Sequence, residues 1–218
     1  MRRQSGFTII EIIIVVIILG LLAATALPRF LDTVDEAEDA SLEGVTGAFA
    51  TGVGLVRGQW EVAGRPSGNG DADATFVLMD NRQIGVDGTT VISANSGLSR
   101  GYPTGSFVLA GGTQVNAMTS IRCEEVFNLI LQNAPSVIDY ASATNPSAAE
   151  IAANKFVARE QNDVCVYFQT AGLAAVPTVA VASTGTAPVV RTVTVTPATV
   201  NYFWYDPSNG RVQIVKNK

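Results

Sequence analysis

The segment from Phe7 to Leu27 constrains the fold most, because it is a run of 21 residues with a single charged side chain, Glu11. A helix of this length, at about 1.5 Å per residue, spans roughly 30 Å, the thickness of the hydrocarbon core of a bilayer. The whole chain has 218 residues, 47% of them hydrophobic, enough for one membrane helix and one globular domain of ordinary size. An ionised carboxylate in lipid is costly, so Glu11 is predicted to have a function.

The composition argues against several classes of function. The formal net charge is −5 and no run of basic residues occurs, which argues against nucleic-acid binding because phosphate contacts need clustered Lys and Arg. The chain has no His, the usual general base and the commonest transition-metal ligand. It also lacks a CxxC pair and a Gly-rich phosphate loop between a strand and a helix. We therefore expect that the protein is not an enzyme and that it has no catalytic residue, cofactor or metal.

Two local patterns admit a binding interpretation beside a structural one. Asp71 and Asp73, in the polar stretch 65–74, could contribute to a Ca²⁺ site, although Gly and Asp are also ordinary turn residues. The aromatic run 202–205 could stack on a sugar, but aromatic residues in a terminal strand more often belong to a core. The structural interpretation is preferred in both cases.

The apolar segment admits three interpretations. A cleaved signal peptide has a shorter apolar stretch that ends in a small-x-small site, which ATA at 24–26 imitates. This run is too long for that class, carries Glu11 and is followed at once by Pro28. A plain membrane anchor fits the length but explains neither Glu11 nor the short charged head MRRQSG. In the third interpretation the head is cut off and the apolar segment is kept.

The third interpretation rests on a resemblance. In the stretch RRQSG-FTIIEIIIVVIILGLLAATALPRF, a short basic leader ends in Gly6, Phe7 follows, and Glu11 is fifth in the apolar run. The stretch resembles the prepilin signature of type IV pilins and related pseudopilins. The resemblance implies that a membrane-embedded prepilin peptidase cuts between Gly6 and Phe7 and methylates the new amino group of Phe7. Arg2 and Arg3 suit the cytoplasmic side of a membrane, so the residues after the apolar run are expected to face outward.

Cleavage supplies the cation that Glu11 needs. The new ammonium of Phe7 is only four residues away and lies at a similar depth. Either charge alone in lipid costs several kcal/mol, whereas pairing them between neighbouring subunits offsets most of that cost. Only one axial stagger permits the pairing, so Glu11 is predicted to set the register of a homopolymer. The alternative is that Glu11 bonds the amino terminus of its own chain.

The same helix is predicted to continue beyond the membrane segment. Pro28 has no N–H and bends or opens a helix that runs through it. Beyond Pro28, apolar residues from Leu31 to Trp60 keep a helical period, and the helix is predicted to end near Gly64. The opposite face carries six acidic residues, which indicates a solvated face or, alternatively, a subunit contact. Glycines within the helix are expected to allow close approach of a sheet or a second helix; they are Gly44, Gly47, Gly52, Gly54 and Gly58.

The rest of the chain is predicted to form strands and two short helices. Strand patterns occur in TFVLMD, RQIGV, TTVIS and DVCVYFQ, with a hairpin signal at Asp87-Gly88. SIRCEEVFNLILQN has helical spacing with Thr119 or Ser120 as N-cap, and PSAAEIAANKF is a weaker helix candidate. Residues 171–188 are either a surface loop or a hairpin of small residues. The stretch 189–215 is predicted to form two or three strands, the last two joined by the turn 206–210.

The predicted architecture is α+β, with a long kinked amino-terminal helix packed on an antiparallel sheet, as in type IV pilins. Its segments are a leader at 1–6, a transmembrane and filament-core half of the helix at 7–28, an amphipathic half at 29–64 and a globular head at 65–218. The two cysteines, Cys123 and Cys165, both lie in the head. An even pair in an exported domain predicts one disulfide; two buried thiols are the alternative.

A second resemblance concerns the branch of the family. Residues 28–66 and the later GYPTG at 101–105 resemble the mannose-sensitive haemagglutinin (MSHA) branch of type IV pilins, whose pili serve surface attachment. Type IV pilins usually place their cysteine pair nearer the carboxyl end, whereas more than 50 residues follow Cys165 here.

The family resemblance implies a structural subunit. The subunit is expected to be single-pass in a bacterial inner membrane with its head outward, and then to join an extracellular pilus through an assembly platform in that membrane. A pseudopilin of a type II secretion system is the alternative. A membrane-anchored binding module is a third possibility, from another class, and needs a polar site that the sequence does not reveal.

Overall fold

The computed structural model describes residues 7–68, 75–86, 101–106, 117–140, 146–184 and 190–217. The helices are α1 (Ile9–Val62), α2 (Ser120–Ile130) and α3 (Ala148–Ala153). The strands are β1 (Phe76–Met79), β2 (Arg82–Gly85), β3 (Gly105–Ser106), β4 (Val137–Asp139), β5 (Phe156–Gln161), β6 (Val164–Gln169), β7 (Thr178–Thr184), β8 (Val190–Thr196), β9 (Tyr202–Asp206) and β10 (Arg211–Val215). The predicted α+β class, with a long amino-terminal helix followed by sheets, is confirmed.

Helix α1 is a single element of 54 residues that continues through Pro28. It ends where the sequence predicts, because Gly64 adopts φ +82° and Arg65 φ +58°, both in the left-handed region. The N–H of Arg65 donates to the carbonyl of Trp60 at 2.9 Å, which satisfies one of the last helical acceptors. Pro66 follows and cannot continue the helix.

The chain divides into two compact units, one up to Ser41 and one from Leu42 onward. In the first unit the apolar side chains stay exposed, including Leu31 and Val34. In the second unit α1 buries a stripe at helical spacing, which contains Leu42, Thr46, Phe49, Gly52, Val53, Val56 and Trp60. The predicted amphipathic period therefore corresponds to a buried face only from Leu42 onward.

The main sheet of the second unit has five strands in the order β10-β9-β6-β5-β4. Its pairs are antiparallel except β4 with β5, which run parallel. A parallel pair needs a crossover connection, and the chain makes it through α3, which lies between the two strands in sequence. The predicted antiparallel arrangement is confirmed for the other pairs of this sheet, and the β4–β5 edge is a parallel exception. The helix candidate PSAAEIAANKF also ends early, at Ala153, and Phe156 begins β5 instead.

Two smaller sheets complete the described structure. One has the order β1-β2-β3, and its hairpin turns at Asp80 and Asn81, whose φ values of 47° and 61° suit a type I′ turn. The predicted Asp87-Gly88 turn and the TTVIS strand lie outside the described residues. The other small sheet pairs β7 with β8, so part of 171–188 forms a small-residue hairpin rather than a loop.

The central strands β6 and β9 are buried on both faces. On one face Phe49 of α1 contacts four aromatic rings at centroid distances of 5.2 to 6.1 Å: Phe127, Tyr167, Phe203 and Tyr205. On the other face Trp204 and Phe168 pack with valines of the β7–β8 hairpin. The aromatic run 202–205 therefore belongs to the core and offers no face to a sugar.

Candidate functional site

The apolar segment of α1 buries nothing within the subunit. Every residue from Phe7 to Ala37 is exposed, and Phe7 and Ile9 are each 81% exposed. By length and composition this part of α1 can cross a membrane. A helix that is apolar on all sides is stable only when lipid or other protein covers it.

The first turn of α1 is organised by Thr8. Its side-chain oxygen accepts the N–H of Glu11 at 3.3 Å, and its carbonyl accepts the N–H of Ile12 at 3.4 Å. Glu11 is thus the third residue of the helix, where the unpaired N–H groups favour a negative charge. This role of Thr8 is not among the sequence predictions, although the Thr-x-x-Glu spacing at 8–11 is a signal of a helix start.

The predicted processing site falls at the edge of the described structure. Gly6 lies outside the described residues, and Phe7 is the first residue inside them. The cleavage between Gly6 and Phe7 and the methylation of Phe7 therefore stay predictions. Pro28 lies within the helix as expected, while the local bend or opening predicted there stays untested.

A disulfide joins Cys123 of α2 to Cys165 of β6, which confirms the predicted pair. Both cysteines are completely buried. The hydroxyl of Tyr167, also on β6, donates to the carbonyl of Cys123 at 2.8 Å. Burial raises the pKa of the Tyr167 phenol well above its ordinary value, so this group stays a donor. The bond and the hydrogen bond together fasten α2 to the centre of the main sheet.

Next to the disulfide, α2 carries Glu124, whose carboxyl group has a raised pKa. Burial raises the pKa of Glu124, and the negative charges of Asp139 and Glu125 raise it further. Among the residues that the structure describes, no group of three or more acidic, Cys or His side chains could hold a metal ion. Asp71 and Asp73, the candidate Ca²⁺ ligands, lie outside those residues.

The acidic side chains on one face of α1 differ in their exposure to solvent. Asp32, Asp35 and Glu36 are exposed, and Glu38 and Asp39 are half-buried. The sixth acid is Glu43, whose carboxylate lies 2.6 Å from the ammonium of Lys216 near the carboxyl end of the chain.

Comparison with known proteins decides the family. Residues 1–27 match the family model described as the prokaryotic N-terminal methylation motif. The chain is 31% identical over 114 residues to the type IV narrow pilus major component PilA5 of Thermus thermophilus, which covers 47% of this chain and 92% of that protein. The chain belongs to the type IV pilin family.

Other relatives match shorter stretches of this pilin-family chain. It is 34% identical over 93 residues to the type IV major fimbrial protein FimA of Dichelobacter nodosus, covering 43% of this chain and 55% of that protein. It is 41% identical over 56 residues to the type II secretion system core protein G of Pseudomonas aeruginosa, covering 26% of this chain and 39% of that protein. No solved structure matches the chain. The family consists of structural subunits rather than enzymes, and its members polymerise into pili or pseudopili.

Proposed function

We propose that this chain is a subunit of a type IV pilus. The observation that carries the proposal is the similarity to a major pilus component along 92% of that protein's length, well beyond the amino-terminal motif. The exposed apolar part of α1 supports it, because this surface needs lipid before assembly and neighbouring subunits afterwards. Before assembly the subunit is a single-pass protein of the inner membrane. It then joins an extracellular filament through an assembly platform.

The proposal includes processing by a prepilin peptidase. The leader 1–6 is removed between Gly6 and Phe7, and the new amino group of Phe7 is methylated. The methylation motif found over residues 1–27 supports this step. Mass spectrometry of the mature protein is expected to show methylated Phe7 as the first residue. A mature chain that begins near Pro28 contradicts the proposal, because a signal peptidase has then removed the segment that assembles.

We also propose surface attachment as the role of the filament, on the likeness of residues 28–66 and 101–105 to the MSHA branch. In this protein GYPTG belongs to the packing of the head, since Tyr205 donates its hydroxyl proton to the carbonyl of Pro103 at 2.9 Å. Gly101 lies against Trp60, where a Cβ atom would come within 2.6 Å of the indole ring. The motif therefore packs within the head, and its support for the proposal is the sequence likeness alone.

A pseudopilin is the second candidate, favoured by the match to the core protein G of a type II secretion system. Electron microscopy of a strain that lacks this gene separates the two. Loss of all surface filaments indicates a major pilin, and short or few filaments indicate a minor pilin. Normal filaments with blocked protein export overturn the pilus proposal in favour of the pseudopilin.

Two complemented strains serve as controls. Wild-type protein is expected to restore the filaments. Gly6→Val is expected not to restore them, because a branched side chain crowds the predicted cleavage site while the mature sequence is unchanged. Filaments of normal number in the Gly6→Val strain contradict processing at this bond.

A further inference from the structure

The turn between β9 and β10 contains Asn209 followed by Gly210, the dipeptide most prone to deamidation. In that reaction the backbone nitrogen of the glycine attacks the side-chain amide carbon of the asparagine. Ammonia leaves with the proton of that nitrogen, and a five-membered succinimide forms. Water then opens the ring to aspartate or isoaspartate. Asn209 is exposed to solvent, so burial does not protect it.

Hydrogen bonds hold both ends of the Asn209 amide. Its nitrogen donates to Oδ2 of Asp206 at 3.1 Å, and its oxygen accepts the backbone N–H of Arg211 at 2.8 Å. Rotation of the amide carbon toward the nitrogen of Gly210 therefore breaks two hydrogen bonds. The anchor is itself fixed, because Asp206 is completely buried and ion-paired with Arg191.

The attacking nitrogen is held as well. The N–H of Gly210 donates to the carbonyl of Asp206 at 2.8 Å, so its proton points into the turn. Gly210 has φ +74°, and the ring of Tyr102 packs directly against it, since an added Cβ would lie 2.1 Å from Cε1 of that ring. The backbone at Gly210 thus has little room to swing toward the side chain of Asn209.

We propose that Asn209 is a latent modification site, which the folded turn keeps as an amide and which reacts only when the β9–β10 turn opens. Isoaspartate at Asn209 then records that the subunit has unfolded at this turn. In a filament, this mark distinguishes subunits that have stayed folded since assembly from those that have opened.

The experiment uses the wild-type protein, incubated at mildly alkaline pH with and without guanidinium chloride. Peptide mass spectrometry follows the mass gain and the isoaspartate at Asn209. The second Asn-Gly pair, Asn69-Gly70, gives a reference rate in the denatured sample. We expect similar rates at both sites in denaturant. We expect the rate at Asn209 in native protein to be at least about tenfold lower, as for a reaction that waits for local unfolding. Native and denatured rates of similar size at Asn209 overturn the proposal.

A matched pair of variants tests the hydrogen bond from Arg211. Arg211→Pro removes the N–H that holds the Asn209 oxygen, at the first residue of an edge strand, where proline is tolerated. Arg211→Ala loses the same side chain but keeps the N–H. We expect several-fold faster deamidation in folded Arg211→Pro than in folded Arg211→Ala. Equal rates show that this bond does not protect Asn209. If the proline variant does not fold, the native and denatured wild-type rates decide.

Discussion

The guanidinium of Arg191 lies 3.3 Å from the carboxylate of Asp206, and both side chains are only 1% exposed. The same Nη1 of Arg191 donates to the carbonyl of Asn162 at 3.0 Å. The pair therefore ties β8 to the end of β9 and to the turn between β5 and β6. Desolvation makes such a pair a weak source of net stability, but removal of one partner leaves an uncompensated buried charge.

Arg191→Met is expected to lower the free energy of unfolding of the head by about 3–5 kcal/mol, because Asp206 is left charged and buried. Denaturant unfolding of the purified protein measures the change. The control is Arg65→Met, which breaks a solvent-exposed pair with Glu61 and is expected to lower the free energy of unfolding far less. Equal losses in the two variants contradict the assignment of a buried ion pair.

Gly52 and Gly54 are expected to respond to alanine with opposite signs. A Cβ at Gly52 would lie 3.0 Å from the carbonyl oxygen of Ile130 and 3.1 Å from its Cβ, whereas nothing lies within 4 Å at Gly54. Gly54→Ala is expected to stabilise α1 by up to about 1 kcal/mol through helix propensity. Gly52→Ala is expected to lose about 1 kcal/mol net, since overpacking outweighs that gain. Thermal unfolding of both variants measures the difference, and a stabilised Gly52→Ala contradicts the close approach of α1 and α2.

The disulfide closes a sequence separation of 42 residues. In the chain-entropy model this contributes roughly 4 kcal/mol by restricting the unfolded chain. Cys123→Ser and Cys165→Ser are therefore expected to lower the abundance of the subunit equally, and the double variant no further. Quantitative immunoblots of the cells measure this. Two thiols that react with an alkylating agent in denatured, unreduced protein contradict the bond.

How far the sequence predicts this fold depends on whether the decisive interaction is local. The N-cap of α2 at Thr119 and the end of α1 near Gly64 follow from capping and backbone preferences of nearby residues, and both predictions are confirmed. The sequence does not predict the parallel edge made by β4 and β5, because it depends on a crossover between segments that pair only in three dimensions. Of the five helix glycines expected to allow close approach, only Gly52 lies against another helix, and this contact is again set by tertiary packing.

The candidate site is divided in the same way. The apolar segment and Glu11 are recognisable in sequence because their pattern is contiguous. The buried Arg191–Asp206 pair gives no such signal, since its partners lie on different strands and each looks like an ordinary turn or strand residue. The sequence does not distinguish the β7–β8 hairpin from a loop, because its small residues carry little periodicity and one face is covered only by packing on the main sheet.

Because the pKa of Glu124 is raised in the folded protein, we expect Glu124→Gln to stabilise the fold by an amount that depends on pH. Below the ordinary glutamic acid value of 4.5 the carboxyl is protonated in both states, and the folded protein bears no penalty. As the pH rises through the folded pKa, the charged form destabilises the fold through burial and the nearby Asp139. Glu124→Gln is therefore expected to raise the melting temperature at neutral pH by about 1–3 °C, and to change little in acid.

A variant with the opposite sign serves as its control. The backbone N–H of Ser147 lowers the pKa of Glu150, so the charged form stabilises the start of α3 at neutral pH, and this is lost as the pH falls. Glu150→Gln is expected to lower the melting temperature at neutral pH and to converge with wild type in acid. Calorimetry across the pH range follows both variants. Equal shifts of Glu124→Gln at neutral and acid pH contradict the role of its charge.

Glu11→Val is expected to block assembly while leaving the head intact. Glu11 lies 31 residues before Leu42, the first residue of the second unit, so the stability of the head is expected to stay unchanged. The substitution makes the segment more apolar, and membrane insertion is expected to be as good as or better than in wild type. Cleavage after Gly6 is expected to continue because the cut site is unaltered. Processed subunits then accumulate in the membrane, and surface filaments become rare or disappear.

Two further variants separate the charge of Glu11 from its place in the helix. Glu11→Gln keeps the size of the side chain and removes the charge, so it is expected to fail in assembly as Glu11→Val does. Thr8→Val removes the oxygen that accepts the Glu11 N–H and so lowers the stability of the first helical turn by about 1 kcal/mol. It keeps the Glu11 carboxylate. It is therefore expected to assemble.

Electron microscopy counts the filaments, and a strain that also makes wild-type subunits shows whether the mutant is excluded from mixed filaments. An intrachain pair alone predicts a milder defect spread over insertion and stability. Filaments of wild-type number and length built from Glu11→Val subunits rule out a register role for this carboxylate.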